Sequence, residues 1–390
     1  MKKLITSSVL LAAAVSASAA PLVTIGDQLD LFFKGAVIGK WDSNITYTSN
    51  KDKQLNDYSA IFRLGAEADY GRNSKFKANV KFYEDLTRYA DQKQFNSNLA
   101  HVAANASYTE ANYSVKGVFS FDQCYQNSAT TEIANQNGEL VRYNKWLAGV
   151  EGTYDFSEKL FGELGFSWDR TEYLGNWTKY YSDNDIYSLP VSLLYKVTEK
   201  ISVGLTYQYR HTEFSGAEQY RAEYGSKRDD HFGGVTVRGD ILPKLNVSAY
   251  AGIVFRDIKD ATKTKDDTTF ALRATLSYEL TEKIGLFATG KRDFGNGASR
   301  QSSVDTGCEI GANYMMNQFV MFTTSFAYTY TDYMGIVRED DEFCARLGVS
   351  YKPNKFLTLG ANYRYLDNSS SVSSASYMQH LVDISVSVKY

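Results

Sequence analysis

The stretch Ile201-Ser-Val-Gly-Leu-Thr-Tyr-Gln-Tyr-Arg210 alternates apolar and polar residues with a period of two. Because successive side chains of a β-strand point to opposite faces, it predicts a strand with one apolar and one polar face. Residues 270–279 and 357–365 show the same separation. Such strands are well above the ~5 to 6 residues of an average globular strand. Their length fits a tilted strand crossing a bilayer, which needs ~9 to 11 residues.

A short pattern at the ends of these strands recurs along the chain. Tyr154-Asp-Phe-Ser-Glu-Lys159 returns as Tyr195-Lys-Val-Thr-Glu-Lys200 and Tyr278-Glu-Leu-Thr-Glu-Lys283. Looser copies begin at residues 70, 108, 314 and 351, and Asp240-Ile-Leu-Pro-Lys-Leu245 stands at the right interval without the Tyr. The chain therefore repeats a unit of roughly forty residues.

The content of the unit separates a barrel from a propeller, whose blades have a similar period. A blade holds four short strands, whereas each unit here holds two long ones. Eight tight turns define sixteen strands, and Leu29–Trp41 and Tyr377–Tyr390 bring the number to eighteen. We therefore predict an all-β fold: a single transmembrane antiparallel up-and-down barrel of about 18 strands, the count lying between 16 and 18. Alternation alone also permits a soluble sandwich, but strand length and repeat number favour the barrel.

The nine other connections are mostly longer and rich in Asn, Ser, Asp, Lys and Thr. They lie around residues 42–57, 87–95, 125–142, 174–185, 214–230, 259–267, 295–301, 332–341 and 367–376. Short turns on one side and long polar loops on the other predict periplasmic turns and extracellular loops. Only Pro190 of the four prolines falls inside a predicted strand, where it removes one ladder hydrogen bond.

The composition excludes several classes of protein. With 43% hydrophobic and 14% aromatic residues the chain is not disordered, and 42 Lys plus Arg against 45 Asp plus Glu form no block of like charge. We therefore expect no nucleic-acid partner. Residues 1–19 combine Lys2 and Lys3, a short apolar run and a small-x-small site ending at Ala19. This predicts a signal peptide cleaved after Ala19, export by the Sec route and one barrel domain over residues 20–390.

The last strand ends with alternating apolar residues, Val386, Val388 and the terminal Tyr390. This ending resembles the C-terminal insertion signal of Gram-negative outer-membrane β-barrel proteins, in which the last residue is most often Phe. With the leader and the hairpin repeat, the whole chain resembles outer-membrane porins of the beta-barrel porin-2 type. The resemblance implies a channel in the outer membrane of a Gram-negative bacterium, inserted by the barrel-assembly machinery, and it names no solute.

The two faces of the strands supply the candidate functional residues. A Tyr at the membrane boundary can lie against acyl chains while its hydroxyl reaches water, so we predict a periplasmic aromatic belt. The belt comprises Tyr70, Tyr108, Tyr154, Tyr195, Tyr278, Tyr314 and Tyr351. Charged residues on the polar face predict a water-filled interior. The predicted lumen lining comprises Lys34, Arg63, Glu67, Lys77, Lys81, Glu151, Glu163, Arg210, Arg238, Arg273, Glu309, Arg346, Arg364 and Asp383.

The lumen charges suggest a weak preference for anions, a hypothesis that rests on Arg210, Arg238, Arg273, Arg346 and Arg364. The alternative is that these arginines pair with carboxylates along the wall and only stabilise it. With only about ten residues between Ala19 and Leu29, we expect no plug domain. We predict a fairly open channel, with residues 125–142 and 214–230 the first candidates for a constriction.

We expect no enzyme, cofactor or metal site. The histidines His101, His211, His231 and His380 stand in no recognisable nucleophile or metal pattern. Cys124, Cys308 and Cys344 predict no disulfide framework, since the last two have opposite predicted facing. The predicted function is passive diffusion of small hydrophilic solutes, with outer-membrane lipid as the surroundings. Export of a polysaccharide and a surface adhesion or structural barrel are the alternatives, and a homo-oligomer is compatible with the apolar face.

Overall fold

A computed structural model describes residues 21–127 and 140–390. Long antiparallel strands dominate it, each 13 to 16 residues except the first. At ~3.3 Å per residue and a tilt near 40° they exceed the ~25 Å of a membrane's apolar band. The strands are β1 Val23–Ile25, β2 Leu29–Asp42, β3 Asp57–Tyr70, β4 Phe76–Tyr89, β5 Ser97–Thr109, β6 Tyr113–Asn127, β7 Leu140–Asp155, β8 Leu160–Tyr173, β9 Asp183–Lys196, β10 Ile201–Ser215, β11 Lys227–Leu242, β12 Leu245–Lys259, β13 Asp267–Glu279, β14 Ile284–Asn296, β15 Ser302–Met315, β16 Val320–Met334, β17 Glu339–Tyr351, β18 Leu357–Ser370 and β19 Tyr377–Lys389.

The sheet closes on itself. Consecutive strands from β2 to β19 pair in order, and β19 returns to β2 in a register that runs from Leu381 opposite Asp42 to Lys389 opposite Lys34. Tyr390 continues the seam, because it and Phe33 exchange backbone hydrogen bonds of 2.6 and 2.9 Å. Eighteen strands thus form a closed antiparallel up-and-down barrel, as the repeat predicts. Closure leaves no strand edge along the seam.

A short extra strand was not predicted. β1 pairs with Leu29–Leu31 of β2. One edge of β2 is paired with β3 along its whole length. β1 therefore lies on the opposite edge, the one that pairs with β19 from Lys34 onwards. It therefore covers the part of β2 that the last strand does not reach.

Eight short turns lie at one end of the barrel, the turn end, and the longer connections lie at the other, the loop end. The predicted turn at Asp240-Leu245 is shorter than expected, because β11 continues through Leu242 beyond a register shift at Asp240. The turn is left with Pro243, which has no N–H to donate, and Lys244 at φ 70°. Pro190 does fall inside β9, and the β8–β9 ladder has no pairs between Leu164 and Ser167, where Pro190 lies across the ladder.

Several strands extend further towards the loop end than predicted. The predicted loops 214–230, 332–341 and 367–376 shrink to residues 216–226, 335–338 and 371–376. The predicted loop 125–142 overlaps residues 128–139, which lie outside the described residues. The helical elements of the described part are short: the α-helix Arg221–Tyr224 and the 3-10 turns Lys93–Phe95, Gly175–Lys179, Glu218–Tyr220 and Ser373–Ala375. In this part of the chain no helix is long and apolar enough to span a bilayer.

Candidate functional site

The two faces of the wall differ as the alternation requires. On the outer face large apolar side chains are exposed, with Leu205 at 70% and Leu64 at 55%. The inner face carries polar side chains that contact strands beyond their immediate neighbours. Lys389 of β19 binds Glu67 of β3 across β2, at 3.1 Å, which only side chains pointing into the barrel can do. The inner face is thus the candidate functional surface.

The register places all the predicted lumen residues on this inner face. Residues directly opposite each other on neighbouring strands point to the same face, as Arg346 and Arg364 do, and likewise Arg273 and Lys291. The same chain of pairs places the following on it: Lys34, Arg63, Glu67, Lys77, Lys81, Glu151, Glu163, Arg210, Arg238, Glu309 and Asp383.

Most of these charges are paired along the wall. Glu67 is the centre of one group, with Lys34 in contact, Lys389 at 3.1 Å and Lys81 at 4.0 Å. Three further pairs are Arg63–Asp85 at 2.6 Å, Arg238–Glu163 at 2.6 Å and Arg346–Glu309 at 3.0 Å. Of the five arginines behind the anion hypothesis, three therefore pair with carboxylates and Arg364 binds the Gln379 amide at 3.0 Å. Arg273 has no such contact in the described part and faces the lumen.

The predicted aromatic belt lies at the turn end. Its seven tyrosines each stand at the last residue of a strand or next to it, with the outer-face parity. Most of them are exposed, as is Tyr390, whose ring packs on Phe356 with centroids 5.2 Å apart. Val386 and Val388 are also exposed on the outer face. The exterior of this end is thus a band of apolar and aromatic side chains.

At the loop end, the β14–β15 hairpin separates from β13 and bends inward, while β15 stays paired with β16 up to Ser302 opposite Met334. The β13–β14 ladder ends at Leu272 opposite Arg292, although both strands continue. Above that point Phe294 and Val304 have outer-face parity, yet they pack against inner-face residues of β11–β13, namely Phe232, Val254 and Ala271. Residues 293–305, here called the tip, therefore lie inside the barrel.

The tip reaches over the inner wall to the β7–β8 side. Ala298 packs with Val141 of β7, Tyr173 of β8 and Tyr181 of the following loop. The Ser182 N–H donates to the Ala298 carbonyl at 2.7 Å. The tip thus spans the sector from β7 to β13 and narrows the lumen at the loop end.

Four arginines surround the tip. Arg256 forms a two-point ion pair with Asp230, at 2.6 and 2.8 Å, and its Nη1 donates to the Gly295 carbonyl at 2.7 Å. Arg210 joins Asp230 of the wall to Asp293 of the tip, both within 2.8 Å. These contacts fasten the tip to β10–β12.

The other two arginines are fully buried. Arg228 donates to Asn296 Oδ1 at 2.6 Å, to the Gln301 carbonyl at 3.3 Å and to the Arg300 carbonyl. Arg300, on the tip itself, donates to the Gly216 and Gly225 carbonyls at 2.5 and 3.2 Å and meets Glu218 at 3.3 Å. Burial lowers the pKa of the Arg300 guanidinium, an effect that Glu218 opposes. Arginine charge thus accumulates under and within the constriction.

A second segment bends inward on another side of the lumen. Tyr47, in the loop 43–56, packs against Cys344, Leu366 and Tyr377 on the inner faces of β17–β19. The Asn44 amide donates to the Thr48 and Met378 carbonyls at 2.9 and 2.8 Å. The described part of the lumen is therefore narrowed from two sides at the loop end.

These inward segments correct the prediction of a fairly open channel. One of them is residues 295–301, the shortest of the nine predicted loops, and neither belongs to the candidates 125–142 and 214–230. The region 214–230 contributes by contact, since Gly216, Glu218 and Gly225 bind Arg300. Loop length was the wrong signal, because a hairpin can enter a barrel by bending its strands without any long loop. The sequence analysis did not select Arg228, Arg256 and Arg300 for the same reason, since loop length does not reveal which hairpin bends inward.

The remaining polar candidates lie apart from the constriction. His101 is on the inner face, where its Nδ1 lies 2.7 Å from Asp122 Oδ1 and its ring stacks on Tyr83 at 4.5 Å. The three cysteines are free, with Cys308 exposed and Cys344 buried on opposite faces. Within residues 21–127 and 140–390, no three His, Cys, Asp or Glu side chains group as a metal site would require.

The comparisons with known proteins agree with this architecture. Residues 295–390 match the family model described as "Putative beta-barrel porin 2". The match includes β15 to β19 and residues 295–305 of the tip, so the resemblance to this family is confirmed for that part of the chain. A search of curated proteins finds no match.

Four solved structures illustrate the matches to this chain. The apoprotein of the FrpB iron transporter from Neisseria meningitidis (F5-1 variant) has a TM-score of 0.51 at 9% identity, over 94% of this chain and 82% of that one. This chain spans 62% of the F3-3 variant of FrpB. OccK5 (OpdH) from Pseudomonas aeruginosa has a TM-score of 0.47 at 10% identity, over 93% and 98% of the two chains. The outer membrane channel DcaP of Acinetobacter baumannii gives 0.46 at 14%, over 94% and 99%. At such identities the FrpB likeness shows a shared barrel fold.

Proposed function

We propose that this protein is a porin-like channel in the outer membrane of a Gram-negative bacterium, through which small hydrophilic solutes diffuse passively. The observation that carries the proposal is the separation of the two faces: apolar side chains are exposed outside, while ionised side chains of both signs line the inside. Charges are costly against lipid and acceptable in a water-filled passage. Barrels of 16 to 18 strands are also wide enough for an aqueous channel.

The orientation and partners follow from the same reading. The turn end with its tyrosines would lie in the periplasm and the loop end outside the cell, as in bacterial barrels generally. The exterior would contact outer-membrane lipid or another copy of the chain. The C-terminal strand that closes the barrel would be the segment presented to the barrel-assembly machinery, after export by the Sec route.

Planar-bilayer conductance of the refolded mature chain, residues 20–390, tests the proposal. A shift in gel mobility on heating first establishes that the barrel is closed, and the heat-unfolded chain from the same preparation serves as the control. We expect steady steps on the order of a nanosiemens, as a water-filled barrel of this width allows. A heat-modifiable barrel that never conducts would contradict the channel and favour polymer export or surface adhesion.

A further inference from the structure

Within residues 21–127 and 140–390, the buried guanidinium of Arg228 has no carboxylate at ion-pair distance, because the nearby Asp230 pairs with Arg210 and Arg256. The three acceptors of this guanidinium, Asn296 Oδ1 and the Gln301 and Arg300 carbonyls, are all neutral, and all belong to the β14–β15 hairpin. A charge buried beside neutral dipoles alone is expensive compared with a paired one. The wall around the tip thus contains a cation that lacks its anion.

Two further polar atoms at this place are unsatisfied. Arg228 Nε and Thr212 Oγ1 are buried and have no hydrogen-bond partner among the described residues. The two residues are directly opposite each other in the β10–β11 ladder, and both are fully buried. A guanidinium edge and a hydroxyl side by side are donors that a carboxylate or phosphate would accept. Their position points to a small anion as the missing partner.

The tip that covers these groups is held by the sheet on one side only, where its residues 302–305 pair with residues 331–334 of β16. Above Leu272 and Arg292 it has no ladder with β13. Its contacts with β10–β12 are Arg210, Arg228 and Arg256 together with apolar packing on Phe232. Arg300 also has a left-handed backbone, φ 67°, which costs energy in a residue other than glycine. The tip can therefore move away from β10–β13 while its ladder with β16 and the barrel below it stay intact.

We propose that the tip is a gate of the channel, and that small anionic solutes favour its open position by binding Arg228. This inference rests on the proposed channel function and adds the class of solute to it. In the closed position Asn296, Gln301 and Arg300 occupy the Nη donors of Arg228 and its Nε is buried, so an anion binds only after the tip has moved. A ligand that binds one of two states shifts the equilibrium towards that state. Arg256 and Arg300 add positive charge nearby and would strengthen the preference for anions.

Thiol labelling measures the gate without requiring conduction. Gln301 is 6% exposed and lies on the tip, and Thr46 is 6% exposed in the other inward segment. Gln301→Cys and Thr46→Cys are each placed in a chain with Cys124, Cys308 and Cys344 changed to Ala. The refolded full-length mature barrel is then labelled with a hydrophilic maleimide, with and without succinate. Potassium chloride at equal ionic strength controls for screening.

Succinate should accelerate labelling at Gln301→Cys and leave Thr46→Cys unchanged. The ratio of open to closed tip should rise linearly with succinate, by a factor of about eleven at ten times its dissociation constant for the open state. An unchanged rate at Gln301→Cys, or an equal rise at both positions, would overturn the proposal.

Three variants test the role of Arg228. Arg228→Met removes the charge and should abolish the effect of succinate, while Arg228→Lys keeps the charge and should retain part of it. Arg238→Met is the matched control, because it removes a lumen arginine that binds Glu163 and does not touch the tip. If Arg238→Met abolished the effect as well, succinate would be responding to the overall lumen charge, contrary to the proposal.

Conductance separates this inference from the proposed function. In a conducting barrel, succinate should raise the open fraction in the wild type and not in Arg228→Met. A barrel that is labelled as expected but never conducts would contradict the channel and leave the anion-dependent movement established. A conducting barrel in which succinate changes neither labelling nor open fraction would support the channel and contradict the anion-dependent gate.

Discussion

In the part of the chain that the structure describes, two segments enter the lumen at the loop end, and they are held there by different contacts. Beside the loop 43–56, the buried charge of Asp42 at the end of β2 is satisfied: both its oxygens accept from the Gln379 amide, at 2.8 and 2.9 Å, and Lys40 lies 3.6 Å away. Tyr47 adds apolar packing on Tyr377, with rings 5.2 Å apart. Under the tip, by contrast, Arg228 of β11 is buried and donates only to neutral acceptors. The two charged groups are thus similarly buried, but Asp42 has its hydrogen-bond partners and Arg228 lacks a counter-charge.

Backbone strain does not distinguish the two segments. Tyr47 in the loop and Arg300 in the tip both have left-handed backbones, with φ of 48° and 67°. The difference lies in the counter-charge. A buried polar network that is fully satisfied makes a rigid structure, whereas one that lacks a partner is the first place to rearrange. We therefore expect the loop 43–56 to stay in place and the tip to be the segment that moves.

The largest expected effect comes from removing the carboxylate that fastens the tip. Asp230→Asn deprives both Arg256 and Arg210 of their wall partner, and breaking a buried pair in this way costs ~3 to 5 kcal/mol. The opening equilibrium, read as the labelling rate of Gln301→Cys, should rise by more than about a hundredfold. Labelling of Thr46→Cys should stay as it was.

Asp293→Asn provides a graded control. Its carboxylate is 36% exposed and pairs with Arg210 only, so the loss should be smaller. If both substitutions left the tip as protected as before, the arginines would not be what holds it.

The second effect concerns the fixed segment. Gln379→Leu removes the amide that donates to both oxygens of Asp42, and a buried acceptor that loses its partner costs ~1 to 3 kcal/mol. Asp42 keeps the Asn44 N–H at 3.0 Å, so the loop should loosen without unfolding. We expect labelling of Thr46→Cys to rise by about tenfold or more. A rise at Gln301→Cys instead would show that the two segments move together.

The fold was readable from the sequence, and the constriction was not, for one physical reason. Within the bilayer each strand has lipid on one side and water on the other, so its residues alternate and the pattern of Ile201–Arg210 reveals a wall strand. Above the bilayer both faces are wet or buried by loops, and the alternation ends. Phe294 and Val304 even keep the outer-face parity, since a strand that bends inward preserves its own period. Which strand bends is decided by contacts between distant residues, such as Arg256 with Gly295.

A smaller effect should appear at the turn end, away from both segments. Glu67→Gln removes one negative charge from a group with Lys34, Lys81 and Lys389, whose side chains are 34 to 44% exposed. Glu67 itself is buried, but its three partners reach water and Gln keeps one acceptor oxygen, so the loss of stability should stay at ~1 kcal/mol. The reversal potential in a salt gradient should shift towards anions, while labelling at Gln301→Cys and Thr46→Cys stays constant. Altered labelling would mean that lumen charge, and not the local contacts of the tip, sets its position.

The smallest effect tests whether Thr212 is only unsatisfied or is part of an anion site. Thr212→Val removes a buried hydroxyl that has no partner, so the closed tip should be stabilised by up to ~1 kcal/mol and Gln301→Cys labelled up to about fivefold more slowly. If the hydroxyl also donates to a bound anion, the dependence on succinate should move to higher concentration in the same variant. Slower labelling with an unchanged succinate dependence would mean that the anion binds Arg228 and not Thr212. The two measurements can differ in this way because they report different states of the tip. The first measures the closed tip, in which the hydroxyl is a cost, and the second measures the open tip, in which it becomes a ligand.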